Sequence, residues 1–368
     1  MRVLVLGGYG NFGARICRAL ARHPTYEVLA AGREPDTGMH RAGLDSRVRS
    51  VRLDVAAADF ADALTAVAPE LVIHCAGPFQ GQDYRVALAA IAAGAHYVDL
   101  ADGREFVAQF AESVGPAARA AHVLAVSGAS SVPALSSAVV DSLAPRFRQL
   151  REIQIAIAPG QRAPRGAATM AAVFSYAGRP FKWRRGGVWT QAHGWQNLTR
   201  LRFAGLGTRW AAACDVPDLE LFPARYAGVQ TVEFRAALEL GLQHVALWAA
   251  AGMCRAGLPL PIQRWAGHLN RLASLMDSFG SEHGGMLVSL RGIRADGSPG
   301  CVDWHLTADA NHGPEIPCMA ALLMTHKIAG GGISMRGAYP CMGFLSLDEF
   351  APEFSRWGIT STIEESAV

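Results

Sequence analysis

Gly7, Gly8, Gly10 and Gly13 follow directly on the apolar run 2–6 (RVLVL) and precede a helical pattern at 14–22. Glycine suits a turn too sharp for a side chain and a backbone that must come close to a pyrophosphate. The last glycine lets the helix pack on the strand, and the helix N-terminus faces the phosphate charge. GGYGNFG therefore reads as the phosphate turn of a dinucleotide fold, with Gly7, Gly8, Tyr9, Gly10, Asn11, Phe12 and Gly13 as cofactor contacts. A second apolar run, 27–31, ends in Gly32-Arg33, and Arg33 lies twenty residues after Gly13. An NAD enzyme places Asp or Glu here for the ribose hydroxyls, whereas an Arg suits a 2′-phosphate. NADP(H) is the expected cofactor. The competing reading makes Arg33 a solvated surface side chain and gives the ribose to Glu34. A third strand, 48–53, ends in Asp54-Val55, where a carboxylate and a backbone amide meet adenine.

Hydride transfer also needs a group that protonates or polarises the acceptor. Asp99 and Asp102, with His96 and Tyr97 beside them, stand at a strand end expected to face the cleft. The alternative role for Asp99 is to cap Arg104 or the following helix. His312 with Glu315 is a candidate acid pair at a helix mouth, against the commoner case of a loop His and a first-turn Glu. Asp215, in the polar loop 214–218, is either a substrate contact or a turn residue, and His74 and Cys75 end a buried strand. No His/Cys/Asp cluster has metal-ligand spacing, and no Gly-x-Ser-x-Gly elbow occurs. The Tyr-x-x-x-Lys pair of short-chain dehydrogenases is missing: Gly178 precedes Lys182 by four residues and Leu323 precedes Lys327 by four.

These residues need a scaffold that gathers them. Apolar runs at 71–75, 97–100 and 123–127 alternate with helical patterns at 60–67, 83–93 and 106–121. The expected fold class is α/β, a Rossmann-type doubly wound parallel sheet, with its ligand beyond the carboxyl ends of the strands. The tips 7–13, 32–33, 54, 75–79, 99–103 and 128–133 should converge there. The second half reads as an α+β domain with a mostly antiparallel sheet and helices on one face. Its strands are 152–158 and 229–235, its hairpins 181–183 with 188–190 and 286–294 with 301–308, and its helices 166–177 and 314–329.

GGYGNFG, AAGR, HCAGPFQG, AHYVDLADG and SGASSVP together resemble the saccharopine dehydrogenase-like reductases, over roughly residues 1–145. The tract 76–106 carries the most specific part. The resemblance implies that Cys75, Ala76, Gly77, Pro78 and Phe79 run along the cofactor toward its nicotinamide end. It also implies that Asp99 borders the substrate cleft. It does not reach a recognisable saccharopine site in the second half.

The expected domains are 1–145 for the dinucleotide, 146–335 for substrate and dimerisation, and 336–368 as a segment returning to the first domain. A net charge of +3 leaves no general nucleic-acid footprint. The seven cysteines include no CxxC pair and read as buried free thiols of a reducing cytoplasm, the expected location. The first strand starts at residue 2, which leaves no signal peptide ahead of it. The segment 238–276 is apolar and helical in pattern. Core or homodimer packing, a wall around a lipophilic substrate, and peripheral membrane contact remain open for it. The expected function is an NADPH-dependent oxidoreductase acting on a C=N, C=C or C=O bond. The alternative is a non-catalytic NADP(H)-binding redox sensor or a membrane-associated interaction protein.

Overall fold

The computed structural model describes residues 1–258 and 265–367, which form two compact units. The first comprises 1–135 and 314–345. Its core is a seven-stranded sheet in the order Gly337–Pro340, Leu124–Ser127, His96–Asp99, Leu71–His74, Arg2–Leu6, Glu27–Gly32, Val48–Arg52. Every pairing is parallel. Strands covered on both faces need apolar side chains on both faces, which is why they read as unbroken runs. Val3, Leu4, Val5, Leu71, Val72 and Ile73 are all fully buried.

The chain leaves strand Arg2–Leu6 toward one edge and then restarts at Leu71–His74 on its other side. This reversal is the switch point where a doubly wound sheet opens a crevice beyond its strand ends. Helices Asn11–Leu20, Pro35–Ala42, Phe60–Val67, Arg85–Ala92 and Arg104–Ala120 lie in the connections, and Ile316–Ala329 packs on the first of them.

The second unit comprises 136–313 and 346–368. Its nine-stranded sheet is mixed. The long strand Phe147–Ala158 runs parallel to Thr231–Ala237 and antiparallel to Gly284–Arg294. All other pairings are antiparallel. Both expected hairpins form, Pro180–Arg185 with Val188–His193 and Gly284–Arg294 with Pro299–Ala308. A third, Thr199–Phe203 with Gly207–Ala213, was not anticipated. The sheet curls until its outer strands meet: Arg202 of Thr199–Phe203 donates to Glu364 of Thr360–Ala367 at 2.8 Å. Phe203, Ala156, Ala158, Ala211, Ala237 and Leu287 form a buried cluster in this unit.

The structure draws the domain boundaries differently from the sequence reading. The first unit ends at residue 135 and takes back 314–345, while 346–368 belong to the second. The physical reason is strand pairing. Gly337–Pro340 adds to the open side of Leu124–Ser127, whereas Thr360–Ala367 covers the open side of Pro299–Ala308. The helical reading of 262–276 falls partly on 259–264, outside the described residues; Ala266–Ser274 is helical.

Helix Leu347–Arg356 is fastened by aromatic packing. Phe350 and Phe354 are buried, and the Phe354 ring lies 6.5 Å from that of Trp304 in the sheet. Phe354→Ala should lower unfolding free energy by about 3–5 kcal/mol, read as a fall in the urea midpoint of the unit that contains it.

Candidate functional site

The site is built from turns at the carboxyl ends of the parallel strands. Gly7 has φ +76°, a conformation that L side chains rarely adopt. Its amide and that of Gly8 both donate to the carbonyl of Ala31, at 3.0 and 3.1 Å. The Gly7 carbonyl accepts from Gly10 at 2.9 Å, and a Cβ on Gly13 would stand only 2.3 Å from that same oxygen. Only glycine lets helix Asn11–Leu20 begin so close to the strand. No side chain of its N-cap, Gly10, closes that helix end, and its first turn carries no acid. Its positive dipole end suits a phosphate.

Tyr9 acts as a wedge. Its hydroxyl donates to the carbonyl of Ala30 at 2.8 Å, and burial pushes its pKa up to about 12. Its ring occupies the space that side chains would take at Gly32 and Gly38, where added Cβ atoms would lie 2.8 and 2.5 Å from it. It thereby sets helix Pro35–Ala42 against the end of strand Glu27–Gly32. Arg33, one residue beyond that strand, is exposed. The exposed Asp54 accepts the amide of Ala56 at 3.0 Å, and Leu53 N–H donates to Gly32 at 3.1 Å, so Asp54 and Val55 stand beside the Gly32–Arg33 turn.

The turn after Leu71–His74 touches the glycine turn. A Cβ on Gly7 would lie 3.0 Å from the Ala76 nitrogen. Gln82 braces this turn by donating to the carbonyls of Ala76 and Pro78 at 2.9 and 2.7 Å. Gln80 donates to Asp102 at 3.2 Å, and Gly103 approaches the backbone of Phe79 closely. Burial raises the Asp102 pKa. Burial likewise raises the Cys75 thiol well above its ordinary value, which disfavours a nucleophilic thiolate.

Asp99 is fully buried. One of its oxygens accepts from Ala101 N–H at 2.9 Å, Ser127 hydroxyl at 2.9 Å and Gly128 N–H at 2.8 Å. It clamps the turns after two neighbouring strands, which is a structural task. Tyr97 hydroxyl and His74 Nδ1 lie 3.0 Å apart, and burial holds His74 down at about 4. His312 and Glu315 are each engaged elsewhere. His312 Nδ1 faces the Trp357 carbonyl at 2.7 Å within the second unit. Glu315 is paired with Arg15 of the glycine-turn helix within the first. Asp215 lies in the turn before helix Asp218–Arg225. The sequence reading brought out Gly7 to Gly13, Arg33, Asp54 and Cys75 to Phe79. It missed the wedge role of Tyr9 and the Arg15–Glu315 pair. The small residues Gly32 and Gly38 were the signal for the first; a pair 300 residues apart leaves none for the second.

Residues 3–132 match the family model described as the saccharopine dehydrogenase NADP binding domain. Residues 3–132 therefore form a saccharopine dehydrogenase-like dinucleotide-binding domain. No curated protein matches the chain by sequence. Among solved structures it is similar to the apo saccharopine dehydrogenase (L-Glu forming) of Saccharomyces cerevisiae, with TM-score 0.66, 13% identity and 100% of both chains covered. It is also similar to the homospermidine synthase of Legionella pneumophila in complex with NAD, with TM-score 0.56, 8% identity, and 100% of this chain and 91% of that one covered. The DAP dehydrogenase of C. glutamicum in complex with DAP gives TM-score 0.50 at 17% identity, over 96% of this chain and 98% of that one. At these identities the likeness is one of fold.

The buried Asp99 has a pH signature. Burial raises its pKa to about 6 in the folded chain, against about 3.9 for a solvated Asp. The folded state thus binds the proton more tightly, and ionisation destabilises it as pH rises from about 4 to about 6. Asp99→Asn cannot ionise. Its stability relative to the parent should therefore climb by about 3 kcal/mol across that window. Urea unfolding of both proteins at several pH values measures this, and a constant difference would contradict it.

Proposed function

We propose that the chain is an NADPH-dependent oxidoreductase that passes a hydride to a C=N, C=C or C=O bond of a small or lipophilic metabolite. The observation that carries this reading is Arg33. It is exposed, has no carboxylate partner among the described residues, and stands one residue beyond a strand end beside an uncapped phosphate-type helix start. That is the chemistry of a 2′-phosphate site rather than of a ribose diol site. The saccharopine dehydrogenase-like domain supports the same cofactor class.

The start of helix Asn11–Leu20, brought close to the strand by the glycine turn, would hold the pyrophosphate at its positive dipole end. Arg33 would take the 2′-phosphate, Asp54 and Val55 the adenine side, and Cys75 to Phe79 the nicotinamide side. The bound cofactor supplies the hydride. Asp102, whose burial favours the protonated carboxyl, is the proton source this reading assigns; Gln80 orients it. Asp99 positions the turns.

Calorimetric titration with NADPH and NADH tests the cofactor. NADPH should bind at least about tenfold more tightly, and Arg33→Asp should remove that preference. An unchanged affinity ratio would sink the assignment. Loss of NADPH absorbance with an imine, ketone or enoyl panel then tests turnover, and binding without turnover favours the sensor alternative.

One observation favours a second reading, peripheral attachment to a membrane. Helices Gly241–Arg255 and Ala266–Ser274, with the residues after them, leave Leu242, Leu272, Leu275 and Phe279 62–76% exposed, with Trp248 and Trp265 also open to solvent. Between Glu239 and Asp277 the sequence holds no acid, while Arg255 and Arg271 are exposed. Apolar and cationic surface together suit an anionic bilayer face. Among the described residues no helix is long and apolar enough to cross a membrane. The chain should co-sediment with vesicles containing anionic lipid, and Leu272→Glu with Leu275→Glu should abolish this; no sedimentation of the intact chain ends the reading.

A further inference from the structure

The outermost strand of the parallel sheet, Val48–Arg52, carries two arginines in very different company. Arg49 is ion-paired with Glu27, as is Arg2 of strand Arg2–Leu6. Arg47, just before the strand, is held by Asp45 at 2.6 Å. So at the amino ends of these strands each of these guanidiniums has a carboxylate partner. Arg52, at the carboxyl end, is exposed and has none among the described residues. Arg33 stands at the same end of the neighbouring strand in the same condition.

Register brings the two together. Arg52 pairs with Gly32 across the parallel ladder, so their Cα atoms are about 4.8 Å apart. Arg33 is the next residue after Gly32. Register partners in neighbouring strands send their Cβ atoms to the same face. A Cβ on Gly32 would point at the Tyr9 ring, 2.8 Å from it. Arg52 therefore leaves the sheet on the face where Tyr9 sits, between the glycine turn and helix Pro35–Ala42. Glu34, Asp36 and Asp54 are the acids nearest in sequence, and none forms an ion pair with either arginine. Asp54 is turned to the amide of Ala56.

Both guanidiniums stand unneutralised at adjacent strand ends, and a dianion bound at those ends would draw on both charges. We infer that Arg52 is a second specificity-determining residue, which together with Arg33 grips the 2′-phosphate of the dinucleotide. This rests on the NADPH reading and extends it to a residue outside the glycine motif. A planar guanidinium offers paired donors to phosphate oxygens, and two of them account for a preference that one exposed charge supplies only weakly.

Adenosine 2′,5′-bisphosphate and adenosine 5′-monophosphate differ only in the group at issue and serve as probes. The intact protein should favour the bisphosphate, and Arg52→Gln should cut that preference about tenfold while leaving the monophosphate affinity nearly unchanged. Arg49→Gln, the same change on the same strand, should alter neither. The losses in Arg33→Gln and Arg52→Gln should be non-additive in the double variant, because both act on one phosphate. An unchanged preference in Arg52→Gln, or strictly additive losses, overturns the inference while NADPH binding still stands. Failure of the parent protein to bind NADPH or either probe overturns the dinucleotide reading itself, and this inference with it.

Discussion

The first unit depends on one close approach, the carbonyl of Gly7 lying where a side chain of Gly13 would have to be. The contact fixes how far along strand Arg2–Leu6 the first helix begins, and so where its positive dipole end points. Arg15, one turn into that helix, is then placed to meet Glu315 at the start of Ile316–Ala329. Both side chains are largely buried, so each charge relies on the other, and removing one alone would strand its partner. Cys318 in the same helix donates to the Phe12 carbonyl at 3.6 Å. A steric allowance at two glycines is thus transmitted to a segment three hundred residues away, which holds the turn from behind.

The remaining turns are fixed by polar clamps. Asp99 gathers three donors onto one oxygen, and Gln80 and Gln82 tie the 75–80 turn to its neighbours. A carboxylate buried this deeply is costly, and the hydrogen bonds offset the cost only in part, as its raised pKa shows. The rigidity gained suits a surface that must present many weak contacts to a long, flexible cofactor at once.

Much of this was legible in the sequence because it is local. Runs such as LVIH announce strands buried on both faces, and GGYGNFG encodes a turn whose conformation only glycine tolerates. Asp99 was legible in place, whereas the partners that hold it were not. It does end a strand, but Ser127 and Gly128, which occupy it, lie 28 and 29 residues further on. Helix Leu347–Arg356 was overlooked although Ser346 and Glu349 form a capping box, with the Glu349 carboxylate accepting the Ser346 amide at 2.9 Å. The polar loop 214–218 ends at Pro217, and its last residue, Asp218, begins a helix. The domain boundaries were the least legible feature, because they follow the free edges onto which Gly337–Pro340 and Thr360–Ala367 dock, and a free edge has no sequence signature.

The meeting of Arg202 with Glu364 bears on how the second unit comes to exist. The two strands lie 162 residues apart, and the contact joins opposite ends of one hydrogen-bonded ladder. Closing so long a loop is entropically expensive before any reward is collected. The hairpins at 180–193, 199–213 and 284–308 can form from near neighbours; the final seam cannot. A ribosome delivering this chain would therefore hold the unit with an unsealed rim until residues 360–367 emerged. During that interval the outer edge of Pro299–Ala308 is unpaired and open to any other chain nearby.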